Sequence, residues 1–346
     1  MKRSTFAASL TVAALAAPAF VRTASAADDV TVGTSSSSSD VPFFIADKLG
    51  YFREQGLNVK LEPFDSAAKM VAPLGAGQLD VAAGAPSAGL YNAILQNIDL
   101  RIIADKGSTP KGYGYLQLLV RADLIKSGKF KSYADLKGLK VAEPAQGTST
   151  SSALNEALKR GKLPYNAVEH VYLGFPQHIP AFINGSIDAS MTTELSASLA
   201  VKSGAAVKFA GSDVFYPNQQ VAVLLYGGNF IQKRRDIGVK FMIAYIKAAR
   251  YYNDALKDGK LRGRNAASVL DILTEYTPVK DKATYEESTP NGNDPDGRVN
   301  VKSLEIDLAF FKDQGLVKGD VSIEKIHDGS FVEAALKSVG KYRRNA

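Results

Sequence analysis

Residues 43–87 read FFIADKLGYFREQGLNVKLEPFDSAAKMVAPLGAGQLDVAAGAPS, and the way this stretch divides decides the fold. Phe43, Phe44, Ala46 and Leu49 share one face of a helix that Gly50 and Gly56 bring to an end. Val59-Lys60-Leu61-Glu62-Pro63-Phe64 is extended, and an amphipathic helix follows it up to Gly77-Gln78-Leu79-Asp80. A short apolar strand, Val81-Ala82, leads to Pro86-Ser87 and a further helix. The same order returns later in different letters. His170-Val171-Tyr172-Leu173-Gly174-Phe175 is extended, a helix follows, and Gly185-Ser186-Ile187-Asp188 precedes the strand Ala189-Ser190. A whole strand–helix–strand unit used twice predicts two similar α/β lobes, because solenoids and propellers repeat shorter units more often. Two lobes make a cleft.

The start of the chain has the pattern of an export leader. Lys2 and Arg3 are followed by an apolar run from Phe6 to Phe20 and by Ala24-Ser25-Ala26, so residues 1–26 are expected to be a signal peptide used by the general route. That run is too short to span a bilayer, and no other segment approaches about 20 apolar residues. Roughly 320 residues then remain, enough for two domains of ordinary size. Cysteine is absent, which excludes disulfides and thiolate chemistry and leaves no acylation site after the leader. The expectation is a periplasmic protein without a lipid anchor. The formal charge is +7, and Lys2, Arg3 and Arg22 carry three of these charges, leaving +4 beyond the leader. Basic residues are scattered, apart from Lys233-Arg234-Arg235 and Lys341-Tyr342-Arg343-Arg344. A nucleic-acid binder gathers them on one face among aromatics. No nucleic-acid partner is expected.

Further along, Val30 to Thr34 alternates as a strand and Ser35–Asp40 is a loop that caps the helix starting at Pro42. Strand Val141-Ala142, the polar loop from Gln146 to Ser152 and the helix Ala153 to Arg160 repeat that order. Tyr113 to Arg121 and Gln219 to Tyr226 are long enough to be crossing strands. The first lobe is therefore expected at 27–118 and 224–346, and the second at 119–223. Helical patterns between Phe230 and Leu256, from Ala266 to Tyr276 and from Ser303 to Gln314 are expected to brace the first lobe. Pro290 to Gly297 is a surface loop. The fold class is α/β, each lobe a mixed, mainly parallel sheet flanked by helices.

Pro42-Phe43-Phe44-Ile45-Ala46 through Gly50-Tyr51-Phe52 and Gly56-Leu57-Asn58-Val59 resembles the opening of the nitrate/sulfonate/taurine-type solute-binding proteins, a family that includes thiamine-pyrimidine-binding members. Gly77-Gln78-Leu79-Asp80 is similar to that family's Gly-x-x-Asp turn. Leu136-Lys137-Gly138-Leu139-Lys140-Val141-Ala142 resembles the start of its second lobe, and Gly185–Ala189 with Glu194 the far side of its cleft. The resemblance covers nearly all of the chain after the leader. It implies a two-lobed, type II-like periplasmic binding protein with two crossover strands. Such a protein closes on a small solute and delivers it to an ABC permease and its ATPase subunits. A monomer without cofactor is expected. This chain has Glu194-Leu195 where members of the family have Glu-Pro, and it has no tryptophan.

Ligands in α/β clefts sit outside the carboxyl ends of strands. The qualifying loops supply Ser37, Ser38, Asp65, Ser66, Ser87, Gln146, Thr148 and Ser149. Several open helices, where free N–H groups and the helix dipole favour an anion. Each serine also reads as a plain N-cap, contributing about 1 kcal/mol to its helix. Glu194 could pair with a cationic group or answer a helix dipole. Phe43, Tyr115 and Tyr216 are candidates for an aromatic wall, and each also reads as core.

An enzyme is the alternative. His170, His178 and His327 have no metal-site spacing, there is no G-x-S-x-G or P-loop, and Gly75-Ala76-Gly77 lacks the third glycine of a dinucleotide fingerprint. No catalytic residue and no metal are expected. Relatives of the same fold that make a thiamine pyrimidine with their own histidine lack an export leader. A soluble sensor for a membrane receptor is the third reading.

Overall fold

The computed structural model describes residues 27–64 and 67–344. The leader at 1–26 and the candidates Asp65 and Ser66 lie outside the described residues.

Two five-stranded sheets carry the fold. The strands are β1 (Asp28–Thr34), β2 (Leu57–Pro63), β3 (Val81–Gly84), β4 (Leu100–Ser108), β5 (Leu116–Arg121), β6 (Lys140–Glu143), β7 (Glu169–Tyr172), β8 (Ala189–Thr193), β9 (Ala206–Gly211) and β10 (Gln220–Gly227). The first sheet has the order β2-β1-β3-β10-β4 and the second β7-β6-β8-β5-β9. β1 is parallel to β2 and β3, and β6 to β7 and β8. In each sheet the fourth place is filled by an antiparallel strand, β10 or β5. β3 and β10 are buried along their whole length, as strands covered on both faces are.

The repeated Gly-x-x-Asp has one physical role in both lobes. Gly77 and Gly185 both take φ +73°, a left-handed turn that glycine enters without penalty. The aspartate that follows then locks the neighbouring strand. Asp80 Oδ2 accepts the Thr31 N–H at 3.0 Å while Arg234 pairs with its other oxygen at 3.0 Å. Asp188 Oδ2 accepts the Lys140 N–H at 3.0 Å while Arg121 pairs with its other oxygen at 2.9 Å.

The chain leaves β4 at Ser108 and joins the second sheet at Leu116; it returns after β9 and enters the first sheet at Gln220. The two connecting segments are tied to each other. Thr109 N–H donates to Gln219 O at 3.1 Å, and Asn218 N–H donates to Thr109 O at 2.8 Å.

Seven helices position the cleft: α1 (Val41–Lys48), α2 (Ala88–Leu95), α3 (Ser149–Arg160), α4 (Ser196–Lys202), α5 (Arg235–Ala255), α6 (Ala266–Tyr276) and α7 (Val301–Asp313). α1 and α5 pack Phe43, Phe241 and Tyr245 into the first lobe's core, while Leu118, Val141, Leu154 and Met191 centre the second. α7 braces the first lobe, setting Phe311 against Tyr91. It also reaches the second: Phe310 meets Tyr165 edge-on at 4.9 Å, and Asp307 accepts a bond from Ser152 of α3. Among the described residues no helix is long and apolar enough to cross a membrane.

Candidate functional site

β1 delivers the five serines to the carboxyl end of the first sheet, where they fold around one buried carboxylate. Asp40 Oδ2 accepts the N–H groups of Ser35 and Ser37, each at 3.0 Å, and the Ser35 hydroxyl at 3.1 Å. Ser36 takes φ +51° to make the turn. Lys106, near the end of β4 and almost fully buried, brings Nζ within 2.7 Å of Asp40 Oδ1 and donates to Ser39 Oγ at 2.9 Å. The serine run is thus a built loop at the start of α1.

Tyr115 joins this loop to the second lobe. Its hydroxyl lies near Ser38 and Ser39 on one side and Thr193 on the other, and burial raises its pKa, so it is a neutral phenol. Ser87 caps α2, accepting from Leu90 N–H at 3.2 Å, and its backbone bridges to Thr148 across the cleft. Beside that bridge Ala88 N–H donates to Gly147 O at 2.8 Å. Ser149 opens α3 and donates to Val221 O at 3.1 Å, while Gln219 Nε2 donates to Ser149 O at 2.6 Å. The starts of α2 and α3 therefore meet at a seam between the lobes, which the loop before α1 also faces through Tyr115 and Glu194.

Glu194 lies on the same seam with its charge already matched. Lys208 Nζ is 2.6 Å from Oε1, and Oε2 accepts the N–H and hydroxyl of Ser198 at 3.1 and 2.6 Å. Thr289 N–H reaches Oε1 at 3.3 Å from the first lobe's C-terminal segment. The Glu194–Leu195 peptide is cis. Between Ser38 and Glu194 a cavity of about 10 Å³ remains, walled also by Tyr252, Tyr285 and Thr289. That is room for about one water. A larger cavity of about 430 Å³, lined by Asp105, Ser108, Asn218, Gln220 and Arg298 among others, draws its walls from the first lobe and the crossings alone.

The structure thus gathers Ser37, Ser38, Ser87, Tyr115, Thr148, Ser149 and Glu194 at the seam. Other candidates fall elsewhere. Phe43 is core, fully buried with its ring 5.3 Å from Tyr245 and 6.2 Å from Phe241, because α1 turns that face inward onto α5. Tyr216 points its hydroxyl at Asp307, 2.8 Å away, and so ties the returning crossing to α7. Gln146 is exposed on the loop before α3. Sequence reasoning missed Lys106, Ser198 and Lys208. Only Lys106 left a signal, as part of the charged Asp105-Lys106 that follows an apolar strand.

Two of the three histidines are engaged. His170 contacts Glu143 Oε1 at 2.8 Å and Tyr165 O at 3.1 Å. His178 contacts Thr192 Oγ1 at 2.7 Å and Leu173 O at 2.9 Å, and burial pushes its pKa down to about 4. Among the described residues no group of three or more His, Cys, Asp or Glu is placed to hold a metal ion.

A family model described as NMT1/THI5 like matches residues 38–255. No curated protein sequence matches the chain. The fold is shared with several solved structures. The ligand-binding component of an ABC-type import system from Staphylococcus aureus, with zinc bound, superposes with a TM-score of 0.74 at 13% identity, covering 89% of this chain and 99% of that one. The periplasmic nitrate-binding protein NrtA from Synechocystis PCC 6803 gives 0.71 at 12% identity, covering 91% and 89%. The alkanesulfonate-binding protein SsuA from Xanthomonas axonopodis pv. citri, bound to MOPS, gives 0.68 at 16% identity, covering 88% and 98%.

Proposed function

The chain belongs to the NMT1/THI5-like family, and from that premise we propose that it is the solute-capturing component of an ABC importer. It works in the periplasm as a monomer, closes its lobes on a small solute with an anionic or strongly polar group, and hands it to the permease. The observation that carries this reading is the seam itself. Helix starts from both lobes face it, with α2 on one side meeting α3 on the other and the serine loop before α1 beside Glu194. Such ends hold anionic oxygens through free N–H groups and the helix dipole. Glu194, neutralised by Lys208, adds no net repulsion. The named binding roles of NrtA and SsuA are consistent with this ligand chemistry.

A melting screen of residues 27–346 against taurine, an alkanesulfonate, nitrate and an aminopyrimidine tests the proposal. A solute present at 100 times its Kd is expected to stabilise the fold by about 2.7 kcal/mol. If none raises Tm and one is consumed instead, the protein is an enzyme. Glu194→Gln then sorts the ligand classes. For a plain anion, affinity is expected to stay level or rise, since a carboxylate has left the seam. For an amphoteric solute whose cation uses Glu194, losing that bond weakens Kd by roughly 10- to 150-fold. Titration of the solute found in the screen reads the difference.

A further inference from the structure

α7 carries a carboxylic acid into the contact between the lobes. Asp307 is fully buried, and its Oδ1 accepts the hydroxyl of Ser152 from α3 at 2.5 Å and that of Tyr216 from the returning crossing at 2.8 Å. Its Oδ2 is buried without a partner among the described residues. The hydroxyl of Tyr91, on α2, is likewise buried without a partner and lies within electrostatic reach of Asp307. The charged group facing Asp307 from α3 is another carboxylate, Glu156. On its own helix Ser303 shares the Tyr216 hydroxyl at 3.2 Å, and one turn on, Phe310 rests on Tyr165, which binds the Glu143–His170 pair.

We propose that Asp307 is a proton-operated latch between the lobes: Oδ2 takes a proton from solvent when α7 seats against α3 and returns it when they part. An ionised carboxylate sealed there has a bare oxygen in a low dielectric, whereas the neutral acid strands no charge and still accepts from Ser152 and Tyr216 at Oδ1. Burial pushes the Asp307 pKa up to about 7, against 3.8 for an ordinary aspartate. The folded, closed form is therefore favoured below about pH 7, and that advantage is lost as pH rises through it. The latch rests on the proposed lobe motion but not on any particular solute.

The test needs no ligand. The chain has no native cysteine, so spin labels at Lys60→Cys and Lys159→Cys, both exposed and on different lobes, report the interlobe distance. The closed-to-open ratio is expected to rise about tenfold from pH 8.5 to pH 6, and Asp307→Asn is expected to be closed at both. A ratio that is flat with pH in the wild type, or a pH dependence that survives in Asp307→Asn, overturns the latch. Should Asp307→Asn fail to fold, Ser152→Ala decides. The Ser152 hydroxyl favours the ionised carboxylate, so its removal is expected to move the midpoint to higher pH; an unmoved midpoint overturns the proposal. Solute capture is read separately by melting, so a flat pH curve leaves it standing.

Discussion

Asp40→Ala is expected to destabilise the first lobe by about 3–5 kcal/mol, the range for removing one partner from a buried ion pair. The reason is Lys106, whose ammonium is sealed beneath the serine loop with Asp40 Oδ1 at 2.7 Å. Without that carboxylate a buried cation keeps only Ser39, and the N–H groups of Ser35 and Ser37 lose their acceptor as well. Against a typical total stability of about 5–15 kcal/mol, such a loss is large. Urea unfolding measures it. The double variant Asp40→Ala with Lys106→Met is expected to regain much of the loss, because the uncompensated charge has gone. If the double variant is no more stable than Asp40→Ala, the ion pair is not what holds the loop.

Phe43→Ala is expected to cost about 3–5 kcal/mol as well, by leaving a cavity where the ring packs on Tyr245 and Phe241. It is a sharp test because the sequence allowed two roles. A wall residue would lose solute affinity with little change in melting; a core residue lowers Tm and leaves the Kd of the folded fraction nearly unchanged. Equal Tm with weakened binding would return Phe43 to the site.

These two residues mark what the chain discloses on reading. The repeated Gly-x-x-Asp was legible because its parts are local: a left-handed glycine three residues before an aspartate, with a strand directly after. The role of that aspartate was not legible, since Arg234 and Thr31 come to Asp80 from distant segments. Lys106 meets Ser39, beside Asp40, over 67 residues, and Ser152 meets Asp307 over 155. No periodicity announces such pairs. Phe43 misled for a related reason. An aromatic one turn into a helix at a cleft mouth can face either way, and only the packing of α5 decides. The long apolar runs at 113–121 and 219–226 were seen as crossings. A fully buried strand looks the same wherever along it the sheet begins, so their entry points at Leu116 and Gln220 needed the coordinates.

The antiparallel strand in each sheet has a consequence for the order in which the chain matures. All five strands of the second sheet come from one continuous stretch, β5 to β9, so that lobe has its whole complement once residue 211 is available. The first sheet must wait for β10, which is inserted between β3 and β4 after a detour of more than a hundred residues. Long-range strand pairing is slow and leaves edges open while it is awaited. The lobe that begins the chain is therefore the one that finishes folding last, and until then β3 and β4 are the edges an unfolded neighbour or a chaperone would meet.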